Sequence, residues 1–160
     1  MTNIRTVQGI LDDPNRTPGE FYITPTHTIV EAEQAMAHHG VSAIVVADFA
    51  PEGGWVIMGI VSEKDIAHAI VSKDFDPNAF VTSIMTPNPI TTTPDALVGN
   101  IADQMLKEHI SHLPVVNSNG CFLGTISDRD VLSAFVDALQ GEVAGLASLV
   151  WWQDLRNGQT

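Results

Sequence analysis

One heptapeptide occurs twice in this chain with its chemistry intact: Gly59-Ile60-Val61-Ser62-Glu63-Lys64-Asp65 returns as Gly124-Thr125-Ile126-Ser127-Asp128-Arg129-Asp130. A repeat constrains a fold strongly, because each copy must build the same supersecondary unit and bury the same face. The correspondence reaches further: Thr24-Pro25 matches Thr93-Pro94, Met36 matches Met105 and Ser42 matches Ser111 at an offset of 69, which drops to 65 at Gly59 and Gly124. Copy one therefore holds four extra residues, accommodated in the loop Phe49-Ala50-Pro51-Glu52-Gly53-Gly54. Two copies are too few to stack as a solenoid, so they predict two halves of one pseudo-symmetric unit.

Within each copy the local signals run in one order. An extended opening strand, Phe21-Tyr22-Ile23-Thr24 or Ile90-Thr91-Thr92-Thr93, is closed by Pro25 or Pro94. A helix follows. In copy one Thr28-Ile29-Val30-Glu31 has the form of a capping box, with Ile29, Ala32, Ala35 and Met36 at helical spacing. In copy two Asp95 is the expected cap, with Leu97, Ile101 and Met105 on the buried face. Gly40 suits a left-handed helix end, whereas the second helix ends near His109 without a glycine. Two strands come next, 43–46 with 55–61 and 113–116 with 121–126, and Asn119-Gly120 marks the second pair as a hairpin. Closing helices are expected from Ser62 to about Ser72 and from Ser127 to about Leu139. Between the copies, Asp74 to Asn78 reads as a polar turn and Val81, Ile84 and Met85 as a short helix. The fold class is α+β, each repeat β-α-β-β-α and the two packed through their sheets. The divisions are an N-terminal segment 1–19, repeat one 20–80, repeat two 81–140 and a helical tail 141–160.

A length of 160 residues with 44% hydrophobic content supports one compact module with a real core. No apolar stretch approaches the roughly 18 residues a membrane-spanning helix needs, and Met1 to Arg5 lacks the apolar run of a secretory signal. A cytoplasmic location is expected. Cys121, the single cysteine, excludes an internal disulfide, and its apolar neighbours suggest an inert thiol. Seven basic against 19 acidic residues give a net charge of −12, which argues against nucleic acid as a partner. The same field opposes any anionic ligand, so a phosphate site must rely on local donors such as Lys64 and Arg129.

Three stretches carry a resemblance: Ile84-Met85-Thr86-Pro87, His112-Leu113-Pro114-Val115-Val116, and the Gly-x-x-Ser-x-x-Asp segments from Gly59 and Gly124. Over residues from about 20 to 140 the chain resembles a tandem pair of cystathionine-β-synthase (CBS) domains, a Bateman module. That resemblance implies two pseudo-twofold ligand clefts for an adenosine-containing nucleotide, and a sensor without catalysis. It implies Asp65 and Asp130 as acceptors for ribose hydroxyls, Ser62 and Ser127 as phosphate donors, and Lys64 and Arg129 as nearby charge. It also implies adenine against Ile90 and Thr91 opposite Asp65, and against Phe21 and Tyr22 opposite Asp130. His112 matches a position that approaches phosphate, where copy one has Ala43. With Val45 standing where copy two has Pro114, the two clefts are expected to be unequal.

A second reading of both Ser-x-x-Asp segments stays open, because either forms a capping box that ties off its own helix. An amide used by a cap is unavailable to phosphate. Gly59 and Gly124 serve tight strand packing equally well. His38-His39 and His109 to His112 lack the cysteine or carboxylate companions of a metal site, so none is expected. No nucleophile and base are paired, so catalysis is not expected. The tail carries Leu146, Leu149, Val150, Trp151, Trp152 and Leu155. Folding back onto the module is the expectation for it, against a dimer surface or an effector-protein contact; membrane contact is disfavoured by Arg156 standing alone against Glu142 and Asp154. The expected protein is a homodimer that binds adenosine monophosphate (AMP) in preference to ADP, ATP, nicotinamide adenine dinucleotide (NAD) or S-adenosylmethionine and signals to a partner. The alternative is a ligand-free dimeric scaffold that recognises partners through its Trp-rich tail.

Overall fold

The computed structural model describes residues 6–16 and 19–156, with side chains through Ser148. In chain order it comprises α1 (Val7–Leu11), β1 (Tyr22–Ile23), α2 (Ile29–His39), β2 (Ala43–Phe49), β3 (Trp55–Ser62), α3 (Glu63–Ile70), a 3-10 turn (Val81–Ser83), β4 (Thr86–Pro87), α4 (Val98–Glu108), β5 (His112–Val116), β6 (Phe122–Ser127) and α5 (Asp128–Arg156). Strands β1 to β4 form one sheet in that order, and β5 with β6 form a second. Both repeats bend at the same place, with a register shift at Val46/Ala47 in copy one and at Val115/Val116 in copy two.

Local chemistry sets most element ends. Thr28 accepts from the Glu31 amide while Glu31 accepts from Thr28, and Gly40 closes α2 at φ 66°. His109 closes α4 at φ 54° without the freedom of a glycine. Asp95 is not the cap of α4. It accepts from the Thr93 hydroxyl, and Leu97 takes the cap position with no side-chain bond. Leu97 is accordingly exposed, and the buried face is Val98, Ile101 and Met105, in register with Ile29, Ala32 and Met36 of α2. The opening strand of copy two shrinks to a single parallel bridge, Thr92 to Val115. Thr92 donates to the Pro114 carbonyl, but Pro114 has no amide with which to extend the ladder toward Ile90. Its counterpart Val45 pairs with Tyr22 as part of β1.

Each half-core is closed by the segment that leads into the other half. Val7 and Ile10 of α1 join Val98, Ile101, Met105, Leu113, Val115 and Ile126 in copy two. Val81, with Phe75, Ala79, Ile84 and Met85 beside it, completes the copy-one core around Met36, Ile44 and Val61. Hydrogen bonds fasten the exchange: Val7 donates to the Ala96 carbonyl and Val81 to the His27 carbonyl. Strand β4 pairs with β3 through Gly59 and Pro87, and the Thr125 amide donates to Gly19. Residues 6–16 are thus part of the second repeat's core.

Helix α5 runs unbroken for 29 residues, so the tail continues the closing helix. It does not fold back as expected, since residues 141–148 are all exposed. The tail side chains Leu149, Val150, Trp151, Trp152 and Leu155 lie outside the described residues.

The two motif glycines differ in what surrounds them. A Cβ on Gly59 would stand 2.5 Å from Met85 Sδ and 2.9 Å from the Thr86 carbonyl, whereas on Gly124 its nearest neighbour would be Leu11 Cδ2 at 3.4 Å. Gly59→Ala is expected to cost about 1–3 kcal/mol through overpacking, and Gly124→Ala less than about 1 kcal/mol. Chemical denaturation of the two variants checks this, and equal losses would contradict the packing described.

Candidate functional site

Both Ser-x-x-Asp segments are capping boxes. Asp65 Oδ2 accepts from the Ser62 amide at 2.8 Å and its hydroxyl at 2.6 Å, while the Asp65 amide donates to Ser62 Oγ at 3.3 Å. Asp130 repeats the pattern with Ser127 at 2.7, 2.8 and 3.2 Å. In α5 the first-turn Asp128 amide donates to the Ser111 carbonyl. Among the described residues the Arg129 amide is left as the first-turn donor without such a partner. The helix start therefore offers an anion less than a fully open terminus would.

Each cap consumes one carboxylate oxygen and leaves the other, and here the copies part. A cleft of about 460 Å³ opens between the repeats beside Asp130, within the roughly 300–1,000 Å³ typical of small-molecule sites. Arg16, Gly19 and Phe21 form one wall, Gly40 to Ala43 with Glu63 another, and His112, Thr125 and Ser127 to Asp130 the floor. Of the residues singled out from sequence, Phe21, His112, Ser127, Arg129 and Asp130 meet there. Tyr22 turns away, its ring 4.2 Å from that of Trp55 and 6.4 Å from that of Phe122. Ser62, Lys64, Asp65, Ile90 and Thr91 stand outside this cleft; Lys64, Ile90 and Thr91 are exposed at the surface.

The cleft holds what sequence reasoning missed. Arg16 reaches across from the N-terminal segment, donates through Nη2 to the Thr125 carbonyl, and sets Nε 3.4 Å from Asp130 Oδ1. Its side chain is 6% exposed. Among the described residues, the buried side-chain polar atoms without a hydrogen-bond partner are Arg16 Nε and Thr125 Oγ1, both at this cleft. Buried polar groups are normally satisfied, so two orphans in one cavity mark a place suited to a polar ligand. A signal for them existed. Carried toward the N-terminus, the offset of 69 sets Arg16 opposite Met85, and the offset of 65 sets Thr125 opposite Ile60. With His112 opposite Ala43, the cleft at Asp130 has a charged or polar group at three positions whose matches by offset are apolar.

His112 also ties the repeats together, its Nε2 lying 3.0 Å from Ser42 Oγ. Burial holds its pKa below the ordinary 6.5, and the nearby Asp128, Asp130 and Glu63 oppose that shift. No three of His, Cys, Asp and Glu cluster as a metal site among the described residues, and no described helix is long and apolar enough to cross a membrane.

The CBS-domain family model matches residues 16–72 and 81–137. The chain is 33% identical over 117 residues to a 17.7 kDa protein of Acidianus ambivalens, covering 73% of this chain and 68% of that one. A Methanopyrus kandleri protein is 30% identical over 110 residues; the match takes in 68% of this chain but about half, 54%, of that relative's length. Among solved structures, a CBS-domain protein of Pyrobaculum aerophilum complexed with AMP aligns with a TM-score of 0.67 at 27% identity, over 78% of this chain and 88% of that chain.

The lowered pKa of His112 has a testable sign. The fold prefers the neutral ring, so its stabilising effect is present above the ordinary histidine pKa and is lost as pH falls through the lower folded value. The wild-type urea midpoint should fall more between about pH 7 and about pH 5 than that of His112→Gln. Parallel pH profiles would show that this imidazole is not the group responsible.

Proposed function

The chain belongs to the CBS-domain family as a tandem pair, and on that premise we propose that it is a non-catalytic regulatory module binding one adenine nucleotide in the Asp130 cleft. The observation that carries this reading is the pair of unpartnered buried groups, Arg16 Nε and Thr125 Oγ1, in a cavity walled by both repeats. Asp130 Oδ1, left over from the cap, is positioned to accept from a sugar hydroxyl, and the half-buried Phe21, its ring stacked on that of His39 at 3.7 Å, lines the opposite wall. AMP fits the charge of the cleft. Two arginines face Glu63, Asp128 and Asp130 there, which leaves little positive charge to offset a triphosphate. ADP and ATP rank below it for that reason, while NAD and S-adenosylmethionine, which carry less negative charge than AMP, stand as alternative ligands. The AMP complex of the Pyrobaculum aerophilum relative is consistent with this choice. In the second cleft, Met85 against Gly59 and Ile60 in place of Thr125 leave Asp65 with poorer ligand surroundings, so one nucleotide per chain is the reading here.

Bound ligand would act by holding the two repeats in one arrangement, through its differential affinity for that arrangement. A thermal-shift series tests it. AMP at about a hundred times its dissociation constant should stabilise the fold by roughly 2.7 kcal/mol, and Asp130→Ala should remove the shift while Asp65→Ala retains it. No shift with any adenosine compound, or one that survives Asp130→Ala, defeats the assignment.

A dimeric scaffold is the second reading, favoured by α5. Leu132, Val136, Leu139, Val143 and Leu146 are all exposed on that helix and alternate at spacings of four and three. That rhythm is the seam of a coiled coil. Leu139→Glu with Val143→Glu should reduce the sedimentation mass from dimer to monomer if this seam joins two copies, and an unchanged mass would exclude it.

A further inference from the structure

Arg16 occupies the one feature of the cleft that a ribose would need. Its guanidinium lies against Asp130 Oδ1, the oxygen the cap leaves over, and is anchored behind by the Thr125 carbonyl. The anchoring is incomplete. Nε approaches Asp130 at 3.4 Å as an ion pair but makes no hydrogen bond, although the side chain is 6% exposed. A buried donor left unsatisfied gives up part of what burial should return, so a ligand that replaces this contact with well-formed bonds competes on favourable terms. The segment carrying Arg16 is held by α1 on one side and by the Thr125 amide donating to Gly19 on the other. A Cβ on Gly19 would meet both Arg16 Nη2 and the Thr125 carbonyl, so the chain passes here with no room to spare. The position matching Arg16 at the offset of 69 is Met85, which stands against Gly59 and cannot pair with a carboxylate.

We propose that Arg16 is an internal competitor for the Asp130 cleft, a guanidinium that fills the sugar-binding oxygen in the empty protein and must be displaced before a nucleoside binds. This rests on the nucleotide reading above and adds a threshold to it. The apparent affinity is reduced by the fraction of molecules in which Arg16 is tied down, and the N-terminal segment becomes the element that ligand binding releases. Displacement couples the cleft to residues 6–16, which close the second core, so occupancy has a direct route to the surface formed by α1.

Neutral adenosine isolates the competition from any attraction between Arg16 and phosphate. Calorimetric titration of the full chain and of Arg16→Met, which installs the residue found at the matching position beside the other cleft, is expected to show adenosine binding about tenfold tighter to the variant, the equivalent of one partly buried ion pair removed from competition. AMP should gain less, because a cation is lost along with the competitor. Arg16→Lys keeps the charge but not the fork, and should fall between the two; it also serves if Arg16→Met does not fold. In the absence of ligand, amide exchange at Thr125 should quicken in Arg16→Met and in Asp130→Asn, since both release the segment that carries Gly19. Adenosine affinity equal to or below wild type in Arg16→Met, with wild type binding AMP, overturns the competitor and leaves the nucleotide site standing. Failure of every adenosine compound to bind either protein overturns both, and unchanged exchange at Thr125 overturns the tie itself.

Discussion

The reciprocal closure of the two half-cores is the constraint on which the rest of this structure depends. Val7 and Val81 are fully buried, each in the core of the repeat opposite to the one its own segment leads into. Burial of such a side chain is worth about 1.5–3 kcal/mol, and the hydrogen bonds from Val7 to Ala96 and from Val81 to His27 make the arrangement specific. Neither repeat can then complete its core alone. The exchange also places the chain that follows α1 across the second repeat's cleft, which is how Arg16, Gly19 and Phe21 come to face Asp130.

The same geometry explains how one carboxylate caps a helix and still lines the cleft. A capping box satisfies the first turn of a helix with a single oxygen, and a carboxylate has two. Asp65 and Asp130 spend Oδ2 identically, so the helix starts are symmetric. What surrounds them is not. Arg16, Thr125 and His112 replace Met85, Ile60 and Ala43, and three apolar-to-polar changes turn one of two equivalent places into a polar cavity. Capping and ligand binding, which compete for the amides, do not compete for the carboxylate.

Much of the fold was legible because its signals are local. The Thr28 and Glu31 box, the Gly40 helix end, the Asn119-Gly120 hairpin and both Ser-x-x-Asp segments depend on residues three or four apart, and each took the form those spacings imply. The misreadings came where more than one local or tertiary partner was open to the same residue. Asp95 looked like a cap but accepts from Thr93, and Val98 rather than Leu97 joins Ile101 and Met105 on the buried face. Pro114 removed an amide from the opening strand of copy two, so Ile90 and Thr91 never entered a ladder. The tail was expected to fold back onto the module, yet α5 continues through Gly141 and Gly145 with residues 141–148 exposed.

By itself the sequence determined a doubled α-β-β-α pattern, three of its helix starts and its turns, because a repeat and a capping box are written in residue spacing. Only the tertiary structure decided which half closes which core and which acid keeps a free oxygen inside a cavity. Those outcomes belong to contacts between residues far apart in the chain, such as Val81 with His27, Val7 with Ala96, and Arg16 with Thr125 and Asp130. Pairings at that separation leave no trace in local periodicity; they are settled when the apolar faces of both repeats are buried together.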